Sequence, residues 1–154
     1  MLPQNHFMVA AVVTAAVIYG FYPEMIDELL NDPASGVWPW LGWVVLAGTV
    51  AALIDLDVII LTGRAAKTDP ELVPWSDPMV ATKDLEAFLV VLYRKGLFRT
   101  IMWTHLAFGV VVTLLAYLFA PSVLVPVAIG AWSHLATDVP YLWRIRKAAG
   151  TPTF

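Results

Sequence analysis

Apolar and polar positions sort the chain into four long apolar runs joined by short polar turns and one long polar loop. His6 opens the first run, which continues from Phe7 to Tyr22 without a charged residue. It is short for the ~20 residues that cross a bilayer unless Met1 to Asn5 extend it. No Lys or Arg precedes it, which argues against a secretory signal peptide. Pro23 to Gly36 reads as a polar connection with four acids and no basic residue. A second run covers 37–61 and is interrupted near its end by Asp55-Leu56-Asp57. Runs three and four cover 101–119 and 123–143, with the turn Ala120-Pro121-Ser122 between them and a short, loose tail after them.

The hydrophilic stretch 62–100 carries Pro70, Pro74 and Pro78, which predict irregular structure first. A helix over 82–95 is expected next, with Thr82 as N-cap, Asp84 and Glu86 in the first turn, Arg94 and Lys95 in the last, and Gly96 as the stop. Leu85, Phe88, Leu89 and Leu92 follow the i, i+3, i+4, i+7 pattern of a helix lying on a membrane surface. The expected fold is therefore all-α: a polytopic membrane protein of four transmembrane helices plus an amphipathic interfacial helix, forming one domain over 1–154.

Composition agrees. The chain is 60% hydrophobic and 14% charged, whereas soluble domains carry about 25% charged residues. It has no cysteine, which excludes disulfides and thiolate metal sites. A net charge of −3 without a basic stripe gives no reason to expect nucleic acid.

Charge distribution then orients the spans. Arg64, Lys67, Lys83, Arg94, Lys95 and Arg99 lie in the long loop, and Arg144, Arg146 and Lys147 follow the fourth run. These are all nine basic residues, and alternating spans put them at one end. The positive-inside rule makes that end cytoplasmic, with both termini on that side of the cell membrane.

The same alternation gathers the chemistry. His6 starts run one, Asp55 and Asp57 end run two, His105 starts run three, and His134 and Asp138 fall in the latter half of run four. All six reach the same leaflet. His134 and Asp138 are one turn apart on one helix face. Ionisable groups are costly in hydrocarbon, so they face the bundle interior and find partners there. Imidazole and carboxylate donors suit zinc first, with manganese or iron as alternatives, and six groups are enough for one ion or two. Asp55 and Asp57 are i and i+2, so both point inward only if the helix end is unwound; otherwise one supports the other. Arg99 and Thr104 flank His105 as candidate anion contacts, Asn5 is a candidate N-cap, and Ser133 next to His134 is a weak nucleophile candidate. Trp38-Pro39-Trp40 reads as an interfacial belt.

Asn5-His6-Phe7, Asp55-Leu56-Asp57, Thr104-His105 and Ser133-His134…Asp138 followed by Pro140 form an ordered set across nearly the whole chain. In that set the chain resembles the YdjM family of inner-membrane metal-dependent hydrolases. More distantly it is similar to the zinc-dependent phospholipase C and P1 nuclease group, which cleaves phosphoesters. It departs from the family pattern at Ile54, Val58 and the Thr100 to Leu106 segment. The resemblance implies a metal set of His6, Asp55, Asp57, His105, His134 and Asp138, with Asp57 and His105 as catalytic residues and a lipid or phosphoester substrate. A second expectation stays open: a non-catalytic membrane scaffold, a partner subunit or homo-oligomer, or a small transporter, in which the cluster only holds helices together.

Overall fold

The computed structural model describes residues 3–148; Met1, Leu2 and the tail 149–154, expected to be loose, lie outside the described residues. Eight α-helices are described: α1 (Pro3–Phe21), α2 (Pro23–Asn31), α3 (Pro33–Ile54), α4 (Leu56–Ala65), α5 (Pro78–Lys83), α6 (Leu85–Arg94), α7 (Leu97–Phe119) and α8 (Leu124–Ala148). No strand occurs among the described residues. Among the described residues, four segments are long and apolar enough to cross a membrane: Gln4–Phe21, Pro33–Ala65, Leu97–Phe119 and Pro121–Ile145.

Each span turns one helical stripe inward and the rest outward. His6, Ala10, Thr14 and Ile18 form the buried stripe of α1, and Val127, Ala131, His134 and Ile145 that of α8. Leu114, Leu118, Val45 and Leu53 face out, as lipid-facing positions do. The bundle is tight because small residues meet where helices cross. A Cβ on Gly130 would lie 2.4 Å from the Ala47 carbonyl oxygen, and one on Gly48 would lie 2.6 Å from the Phe7 ring. These crossings pin α8 and α1 to α3 close to the buried histidines.

Three boundaries differ from the expected ones. The connection 23–36 is largely helical: Pro23 and Pro33 each start a helix at N1, where their missing N–H costs nothing. Met25, Ile26 and Leu29 of α2 lie half-buried beside α3, and Gly36 lets the Leu29 backbone approach. Asn5 lies inside α1 and does not cap it. The helix expected over 82–95 is broken at Asp84, whose carboxylate accepts from the Ala87 N–H and caps α6, while the Thr82 hydroxyl bonds back to the Met79 carbonyl. The carboxylate is the stronger acceptor at a helix N-terminus, so it sets the boundary.

Packing of α6 also differs from a helix resting on lipid. Phe88 and Leu92 are buried with Phe98 and Ile101 of α7 and Ile145 of α8. Together with two 3-10 turns (Pro70–Leu72 and Pro74–Ser76) and α5, α6 forms a roof over one end of the bundle. Lys95, which ends α6, ties the roof down: its Nζ is 2.7 Å from Asp69 Oδ2 and 2.8 Å from Glu71 Oε2. Hydrogen bonding to Lys95 holds the Asp69 carboxyl below its ordinary range, and the two carboxylates raise Lys95 above its own.

Candidate metal centre

Beneath the roof the spans bring five of the six sequence-derived residues to one point. Each histidine directs Nε2 inward toward two carboxylates. Asp138 lies 3.4 Å from His6 Nε2, 3.2 Å from His134 Nε2 and 3.9 Å from His105 Nε2. Asp55 lies 3.9, 3.7 and 3.8 Å from the same three atoms in the same order. Two triads have donor atoms within 4.8 Å of one another: His6, Asp55 and His134; and His105, His134 and Asp138. The rings are at most 2% exposed, and those of His6 and His134 stack at 3.8 Å.

The outer nitrogens fix the tautomers. His134 Nδ1 is 2.7 Å from the Ala51 carbonyl oxygen, an acceptor only, so Nδ1 carries the proton. The Thr137 hydroxyl donates to the His134 carbonyl at 2.8 Å, so at 2.9 Å it accepts from His6 Nδ1. His105 Nδ1 donates to Asp57 Oδ2 at 2.9 Å. In its neutral form each of the three rings therefore carries its lone pair on Nε2, which is how a metal-ligating histidine is held by its surroundings. Among the described residues, His6 Nε2, His134 Nε2 and Asp55 Oδ2 are buried without a hydrogen-bond partner.

Spacing supports the same reading. Most of these donor–donor distances are too long for hydrogen bonds. Donors about 2.1 Å from a shared tetrahedral ion lie roughly 3.4 Å apart, which falls within the range seen here. His134 belongs to both triads, and one imidazole nitrogen has one lone pair, so it serves a single ion at a time.

Asp57, expected as a ligand and as a catalytic residue, stands behind His105 and away from the point where the Nε2 atoms meet. It also accepts from the Thr104 hydroxyl. Asp55 keeps a helical backbone between α3 and α4, and positions i and i+2 diverge on a helix, so the two carboxylates reach opposite nitrogens of one ring. Thr104 thus supports Asp57, while exposed Arg99 lies outside the centre. The Ser133 hydroxyl bonds its own helix at the Gly130 carbonyl, at 3.3 Å. Thr137 was not among the sequence candidates; its position three residues after His134, where a hydroxyl can back-bond, was the available clue.

A cavity of about 130 Å³ adjoins the centre, with Asp55, His105 and Asp138 in its wall. Its remaining lining is mostly apolar and comes from α4, the roof, α7 and α8, including Val58, Phe88, Ile101 and Tyr141. Comparison with family models, with curated proteins and with solved structures gives no match.

Proposed function

We propose that this chain is a membrane-embedded, metal-dependent hydrolase of phosphoesters, of the kind its resemblance to the YdjM family implies. Its centre would lie near the cytoplasmic face, because the basic residues of the loop and of α8 share that end. One observation carries the reading: three buried imidazoles, each tautomer set by an outer partner, converge with two carboxylates at metal-ligand spacing. Nitrogen and oxygen donors without thiolate suit zinc, with manganese or iron next.

A divalent ion held there would lower the pKa of a bound water and polarise a phosphoryl oxygen. His6, His105, His134, Asp55 and Asp138 would hold it. Asp55 takes the proton of the attacking water as the new P–O bond forms. Asp55 then returns that proton to the departing alcohol oxygen as its own P–O bond breaks, so one water and one phosphodiester give a phosphomonoester and an alcohol. Asp57 is a positioning residue that keeps His105 in the right tautomer.

The test is release of phosphoethanolamine from phosphatidylethanolamine by the purified chain, with zinc, manganese or iron supplied. Release that stops on chelation, returns with metal and is absent in His134→Ala supports the proposal; no release by metal-loaded protein overturns it. A structural role is the second reading, because the cluster ties together α1, the α3–α4 junction, α7 and α8. Metal-free protein that keeps its Tm in His134→Ala would overturn that one too.

A further inference from the structure

On the phosphoesterase reading, we infer that the cavity beside the centre selects an acylated phosphoester: it receives the glycerol ester region of a phospholipid, Thr62 donates to an ester carbonyl, and the acyl chains trail out between α4 and α5. Asp55, Val58, Ile59 and Thr62 recur at i, i+3, i+4 and i+7 and line the cavity as one face of the α3–α4 junction and α4. That face runs about 10 Å from the metal centre to the Thr62 hydroxyl. The hydroxyl is buried and has no hydrogen-bond partner among the described residues, although a helical threonine can ordinarily back-bond its own turn. An unpaired buried hydroxyl is costly, and a ligand acceptor removes the cost.

Size and polarity narrow the ligand. An apolar cavity close to 130 Å³ is about large enough for benzene, so a whole lipid does not fit but a glycerol-sized unit does. Diacylglycerol esters bring acceptors and no donors, which matches a mostly apolar wall whose buried, unpaired hydroxyl is that of Thr62. The opening is also suitably placed: Ile59, Pro78 and Thr82 line the cavity and are exposed on the outer surface. Neighbouring Ile60, Met79 and Val80 are exposed as well, which gives the mouth an apolar rim for lipid.

The experiment uses the full chain in phosphatidylethanolamine nanodiscs, with a phosphatidylethanolamine probe bearing a diazirine on the first methylenes of one acyl chain. Label is expected on Ile59, Thr82 or Leu85 and should fall at least fivefold in Ile59→Trp, an exposed position that folds readily. Competition by ester-linked over ether-linked phosphatidylethanolamine should favour the ester about three- to tenfold, and Thr62→Val should remove that preference. Label confined to the outer faces of α7 and α8, at Trp103 or Trp132, overturns the inference. So does equal competition by glycerophosphoethanolamine, or an ester preference that survives in Thr62→Val. Metal content is measured in the same samples. Mouth labelling without metal sinks the hydrolase reading and leaves the lipid site; metal without mouth labelling does the reverse.

Discussion

Acids at the two ends of this bundle have opposite fates. Glu24, Asp27 and Glu28 on α2 are exposed and belong to no convergent donor set. Asp55 and Asp138 have side chains only 13% exposed and sit among three buried imidazoles. An exposed carboxylate keeps its water and needs nothing, whereas one buried in a membrane bundle persists only with donors or a cation. Acid count alone therefore says little. What marks the centre is that its neighbours are themselves oriented, each by a partner of its own.

The largest expected effect breaks that contrast directly. His134→Ala removes the donor common to both triads and should lower bound zinc more than tenfold, while Asp27→Asn with Glu28→Gln should leave it unchanged; elemental analysis of purified protein reads both. Asp57→Asn sharpens the contrast, since it disturbs only the support of His105. Metal affinity should fall roughly 10- to 100-fold, with full occupancy recovered at high zinc, as a competition titration would show.

Next in size is the packing that brings the donors together. Gly130→Ala forces a methyl against the Ala47 backbone and should cost about 1–3 kcal/mol, lowering Tm in detergent. Gly42→Ala meets nothing within 4 Å and should not lower it. A Tm loss in the second variant equal to that in the first would remove the close α3–α8 crossing as the cause.

The smallest effect concerns the roof. Asp69 is held below its ordinary value near 3.8, so its share of the clamp is present above that pH and lost as acid protonates it. Lys95 is raised above 10.5, so its share is present below that pH and lost as the pH climbs through the raised value. The clamp therefore persists from about pH 4 to about pH 10. Lys95→Met should modestly speed proteolysis within 66–84 at pH 7, and high salt should narrow the gap to wild type.

Topology was legible in the order of residues. Alternating apolar runs with a polar group at the start of runs one and three and late in two and four can meet only at one end, and His6, Asp55, His105, His134 and Asp138 do. Asp57 was less legible because the i, i+2 spacing says that it and Asp55 diverge but not which of the two faces the other donors. The roof boundary was missed because Thr82 and Asp84 are both good caps, and only the folded chain shows that the Thr82 hydroxyl is bonded elsewhere while the Asp84 carboxylate caps α6. The Ala51 carbonyl that orients His134 could not be read from side chains at all, being a backbone atom supplied by a neighbouring helix.

The most direct measurement is metal stoichiometry in protein purified after zinc supplementation and dialysis, for wild type and for His134→Ala. One tightly held ion per wild-type chain, lost in the variant, is the expected result. A wild-type chain that retains no ion, or a variant that keeps it, contradicts the metal centre.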